Sequence, residues 1–163
     1  PSSGNRKAIF SLDNLWDGLG ALVVDNPEIK YFFGKVTMYL NFNKKGRDLI
    51  LSFMNEIFGD SQKLVIPKKA LKLHHDTSYF IKEIKNLPYK EAFKLLNQNL
   101  KALNTSVPPL ISAYMNLSSS MKTFGTVLNS NFGDVEETGI LISIDDIYKS
   151  KKDRHINSYQ TNK

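Results

Sequence analysis

The chain contains no cysteine. That excludes a disulfide framework and thiolate chemistry, and it is compatible with a reducing compartment. It contains no apolar run near the roughly 20 residues that a membrane-spanning helix needs. Internal repeats and low-complexity segments are missing as well. So are zinc-finger spacing, an RNP motif and a helix-turn-helix pattern, and nucleic acid is not an expected partner. Histidine is scarce: His74 and His75 are adjacent, and His155 is remote. Adjacent histidines point different ways and no other ligand has motif spacing, so no metal site is read here. Asp76 reads instead as a helix cap.

What is present is a chain of 163 residues, enough for a single domain with a real core. Its formal net charge is +6. Lysine and arginine gather at Lys44, Lys45 and Arg47, at Lys68, Lys69 and Lys72, and at Lys149, Lys151, Lys152 and Arg154. Such a surface favours anionic partners: phosphate-bearing cofactors, acidic carrier proteins or anionic lipid. A merely solvated basic surface is the alternative.

Apolar spacing predicts a first helix over 6–24, with Asn5 as N-cap and a stripe of Ala8, Ile9, Leu12, Leu15, Trp16, Leu19, Leu22 and Val23. "DNP" at 25–27 ends it. "IKYFFGKVTMYLNF" reads as a strand in which Gly34 marks a bulge or a close approach by a backbone or ligand. A helix over about 44–58 follows, capped by Asn43 and ended by Gly59. The stretch 60–76 is irregular and basic. Two helices come next, one starting near Asp76 and one with Pro88 in its first turn and Phe93, Leu96, Leu100 and Leu103 on one face. "VPPLISAYMNL" reads as a short helix, and "MKTFGTVLN" and "TGILISI" as strands joined by the loop "SNFGDVEE". A last helix starts at Asp145 or Asp146, and the tail 156–163 is expected to fray. The fold class is mixed α/β, α+β-like, with a sheet that looks short of strands for its helices.

Two blocks carry a resemblance. "SLDNLWDGLGALVVDNPEIKYFFGKVTMY" is similar to GNAT-type N-acyltransferases of the hemolysin-like group, which includes bacterial enzymes that acylate ornithine or glycine in aminolipid synthesis. "VPPLISAYMNLSSSMKTFGTV" followed by "NFGDVEETGILISIDDI" resembles that family's closing segment. The resemblance implies an incomplete GNAT sheet, the C-terminal part of the fold with its earlier strands upstream of Pro1. It makes 60–106 a helical insertion and leaves an open sheet edge near residues 30–40, through which a homodimer is conceivable.

It also implies a reaction: attack of an amino-acid amine on a thioester. The donor would be acyl-ACP or acyl-CoA, with acyl carrier protein as partner and no permanently bound cofactor. The expected place is cytoplasmic, peripheral to the inner membrane. Ser3, Gly4, Asn5, Arg6 and Lys7 stand where the family holds the donor's phosphates at a helix N-terminus, although the spacing of its glycine pattern is not kept. Tyr39, Glu136 and Glu137 are the candidates for contact with the acceptor amine, each with a plain alternative: packing for Tyr39, a turn carboxylate for the glutamates. Four residues before Gly59, where such enzymes often carry a general-acid Tyr, stands Asn55. Asp13 and Asp17 share a helix face, where a metal or acid–base carboxylate pair is the alternative to a plain solvated face. The rival to an enzyme is a non-catalytic basic module docking on a membrane surface or an acidic protein, with an exposed Phe93, Leu96 and Leu100 stripe as its mark.

Overall fold

The computed structural model describes the backbone of residues 2–161 and the side chains of residues 14–159. Helix α1 (Ser2–Asp25) leads into strand β1 (Tyr31–Tyr39), then α2 (Lys44–Phe58), α3 (Ser78–Ile84), α4 (Tyr89–Ala102) and α5 (Pro109–Met115). Strands β2 (Lys122–Asn129) and β3 (Val135–Ser143) form a hairpin. The chain then enters α6 (Lys149–Lys152), a π-helical turn (Asp153–Asn157) and α7 (Ser158–Thr161).

The sheet has the order β1-β3-β2, with both pairings antiparallel. The last strand therefore lies in the middle, and β1 is an edge strand. Among the described residues no strand pairs with its free side, the open edge expected at 30–40. The register of β1 on β3 runs without a break from Tyr31 opposite Ser143 to Tyr39 opposite Val135. Gly34 sits opposite Ile140 in that unbroken ladder and is not a bulge. The irregularity falls on β2, between Thr123 and Thr126, where Gly125 has φ +86. Only glycine takes that conformation without strain, and the ring of Pro67 lies against it.

Alternation assigns the two faces of the sheet. Val36 and Met38 of β1 and Ile140 and Ile142 of β3 point inward, into one cluster with Ile50, Phe53 and Met54 of α2. Burying side chains of this size stabilises by roughly 1.5–3 kcal/mol each. Asn43 caps α2 as expected, its side chain accepting from the Gly46 N–H at 2.9 Å. Leu96 and Leu100 of α4 are fully buried, and Phe93 stacks on Tyr89 and lies against Phe53. The stripe that would mark a free-standing binding module is therefore internal, packed on α2.

Three expectations change. β3 begins at Val135, so Glu136 and Glu137 lie in the central strand and not in a loop. The reversal needs fewer residues because Gly133 and Asp134 both take positive φ and close it. The last helix starts at Lys149 rather than at Asp145 or Asp146, and the tail is helical through Thr161. It is held because His155 is buried, with its Nδ1 2.7 Å from Asp17 and its ring 6.5 Å from that of Trp16. The α1 stripe is narrower than expected: Trp16 packs edge-on against Tyr114, while Leu15 and Leu22 remain exposed. Ala8, Ile9 and Leu12 lie outside the described side chains.

Candidate functional site

Neighbouring residues on a strand point to opposite faces, and the glutamate pair of β3 is divided by that rule. Glu136 turns inward. Its Oε1 meets Arg47 Nη1 at 2.7 Å and Lys44 Nζ at 3.4 Å. Arg47 in turn reaches Asp48 Oδ1 with its Nε at 2.7 Å. The other Asp48 oxygen accepts from the backbone N–H groups of His74 (3.0 Å) and His75 (2.9 Å), and His75 Nδ1 lies 2.8 Å away. Arg47, Asp48 and Glu136 are all buried. Burial pushes the Asp48 carboxyl up, but the His75 ring and the two backbone donors outweigh it and leave the group below its ordinary value. The three buried groups are bordered by the partly exposed Lys44 and His75, and Glu136 faces these protein groups rather than a hollow that could take an amine.

Glu137 turns outward. Its Oε1 meets Lys35 Nζ at 2.6 Å and its Oε2 accepts from Asn129 Nδ2 at 2.9 Å. The Lys35 bond holds this carboxyl below its ordinary value against the opposing effect of burial. The pair sits on a hollow of about 430 Å³ whose apolar walls are Phe33, Val65, Pro67, Phe124 and Val127. Lys35 stays more than half exposed and covers the ring of Phe132 at 5.5 Å. Glu137 is thus a buried, ionised carboxylate beside an apolar hollow, with a solvent-exposed lysine as its partner. Such a site can receive an ammonium group; a carboxyl held low is a poor proton acceptor.

The remaining candidates fall as follows. Tyr39 is exposed at the end of β1, so packing does not explain it. It stands on the same outward face as Glu137, two residues beyond the Thr37 that pairs with it. Ser3, Gly4, Asn5, Arg6 and Lys7 lie outside the described side chains, but their backbone runs within α1, which starts at Ser2, so they form no loop before the helix and Asn5 is not its N-cap. Asn55 lines a second hollow, of about 340 Å³, with Ser52, Glu56 and Ile81. Asp76 caps the start of α3 through the Ser78 N–H at 2.8 Å, while Asp13 lies outside the described side chains. His75 and His155 are each engaged by one aspartate, and no group of three or more metal-ligating side chains forms among the described residues. Sequence reasoning missed Arg47, Asp48 and Lys35. The only available signal was two adjacent ions inside an apolar helix face, "GRDLILSF".

No family model matches the chain, and no solved structure does. Curated proteins do match. The chain is 50% identical over 157 residues to a glycine N(alpha)-acyltransferase of Phocaeicola vulgatus, across 94% of this chain and 47% of that protein. It is likewise 50% identical over 157 residues to a glycine N(alpha)-acyltransferase of Bacteroides thetaiotaomicron, across 94% of this chain and 45% of the relative. The chain spans about half the length of the curated relatives it matches. Over nearly all of its residues, therefore, this chain is homologous to about half of each of two glycine N(alpha)-acyltransferases.

Proposed function

We propose that the protein carrying this chain is an N-acyltransferase that moves an acyl group from a thioester to the amino group of an amino acid, glycine first among them. The observation that carries the reading is the 50% identity over 94% of the chain to two proteins so named. The donor is a long acyl chain on acyl carrier protein or coenzyme A, and the product serves aminolipid synthesis. The basic surface suits an acidic carrier.

In the reaction the amine nitrogen bonds to the thioester carbonyl carbon, the carbon–sulfur bond breaks, and the sulfur leaves as a thiol with the proton the amine gives up. Glu137 receives the acceptor's ammonium group and Lys35 its carboxylate, so the zwitterion replaces the ion pair that closes the site without it. The depressed carboxyl of Glu137 suits holding the amine, and a stronger base takes its proton before attack. Tyr39 lies further along the same face, within reach of the acceptor's other end.

The test is thiol release by the protein carrying this chain, given a long-chain acyl carrier protein thioester and glycine, with ornithine as the alternative acceptor. Turnover with glycine is expected, and Glu137→Gln should raise the apparent KM for glycine by about tenfold or more while leaving the donor's unchanged. Absence of turnover with every amino acid would sink the reading. An unchanged KM for glycine in the variant would remove Glu137 from it.

A further inference from the structure

The segment 61–75, "SQKLVIPKKALKLHH", contains four lysines and no carboxylate. In the structure it is neither helix nor strand, yet it is firmly held at both ends. Asp60 anchors the start: its carboxylate accepts from the Gln62 N–H at 3.1 Å and the Leu64 N–H at 2.6 Å, and Lys122 Nζ lies 3.3 Å away. Leu71 anchors the end, its N–H donating to the Thr126 carbonyl of β2 at 2.8 Å. Between the anchors Lys63 turns the chain with φ 53, and Leu64, Val65 and Ile66 are presented to solvent at 58%, 43% and 68% exposure. Lys63, Lys68, Lys69 and Lys72 are exposed around them. Across the hollow from Val65 stands Phe33, itself 64% exposed.

Three consecutive exposed aliphatic residues cost free energy in water unless something covers them. We propose that this segment docks the protein on an anionic lipid bilayer, with Leu64, Val65 and Ile66 entering the headgroup boundary and the lysines lying on the phosphates. The charge pattern selects the occupant. A bilayer offers apolar depth directly beneath a sheet of negative charge, which matches an aliphatic tip inside a lysine collar. An acidic protein surface would satisfy the lysines and leave the tip in water. Pinning at Asp60 and Leu71 reduces the ordering cost of insertion, because the tip is already projected. No helix among the described residues is long and apolar enough to cross a membrane. The inference does not depend on the acyl-transfer reading, and either can fail alone.

Because the chain has no cysteine, Ile66→Cys gives a single attachment point for an environment-sensitive fluorophore. The labelled protein is mixed with vesicles of phosphatidylcholine alone, or of phosphatidylcholine and phosphatidylglycerol in equal parts. Binding and a blue shift are expected with the second kind only. In co-sedimentation of the unlabelled protein, Lys68→Gln with Lys69→Gln should weaken partitioning by about fivefold per lysine. Leu64→Ser with Ile66→Ser should weaken it by more than about tenfold at unchanged net charge. All four side chains are exposed, so the fold should be kept, which circular dichroism checks. The proposal is overturned if the serine variant binds as the wild type does, if binding occurs without a blue shift, or if neutral vesicles bind equally. It is overturned too if vesicles are ignored while an acidic carrier protein is held through Lys68 and Lys69.

Discussion

Glu136 and Glu137 are neighbours in sequence, and they live in two different proteins, chemically speaking. Inside the sheet, Glu136 joins Arg47 and Asp48, all three buried. On the other face, Glu137 joins Lys35 at the rim of a hollow, the carboxylate buried and the lysine in solvent. The difference teaches where an ion pair is a constraint and where it is a resource. A buried charge without its partner is costly, so the inner cluster permits no exchange. A pair whose cation stands in solvent is weakened by screening and can exchange that cation for a ligand.

The strongest way to break the inner side is Arg47→Met. It leaves Glu136 and Asp48 without their shared cation, and a loss of about 3–5 kcal/mol is expected, read from the urea midpoint. A loss under ~1 kcal/mol would mean that the cluster is not electrostatically coupled.

Acid offers a gentler way to sharpen the contrast. The folded Asp48 carboxyl lies below its ordinary value of 3.8. Its contribution is therefore fully present above 3.8 and is lost as the pH falls through the folded value. His75→Ala removes the ring that does most to hold it low, so the onset of acid unfolding should move to higher pH. Identical unfolding profiles between about pH 2 and 6 would show that the ring bond does not matter.

The smallest effect is expected outside. Lys35→Gln removes the exposed cation of the pair, and stability should change by less than about 1 kcal/mol, with the difference shrinking in salt. A loss as large as that for Arg47→Met would erase the distinction between the two faces.

Much of this fold is readable from local chemistry. The Asn43 cap, the strand signals and the heptad-like apolar face of α4 all act within a few residues, and the structure has them where the spacing puts them. The limits of β3 were not readable, because nothing within "SNFGDVEE" says that its glutamates will meet cations from α2 and β1. A carboxylate pair looks like a turn until its partners are placed. The same holds for the end of the chain. "INSY" is polar, and its order comes from contacts with α1, His155 with Asp17 and the Tyr159 hydroxyl with Asp25. Of the candidate site, Glu137 and Tyr39 were visible as residue types, whereas the hollow is assembled from β1, β2, β3 and the segment 60–73 and exists only after folding.

The closeness of Gly20 to His155 reaches beyond packing. A methyl group added at Gly20 would lie 1.7 Å from the His155 carbonyl oxygen, so the two backbones touch where a side chain would have kept them apart. Those residues are separated by nearly the whole chain, and ribosomes deliver them in order. While the polypeptide is being made, Trp16 and its neighbours wait without their lid until the segment around His155 leaves the exit tunnel. Until that segment is made, the apolar side of residues 14–25 lacks its cover, and a stall before His155 leaves it open to chaperones or to other unfinished copies.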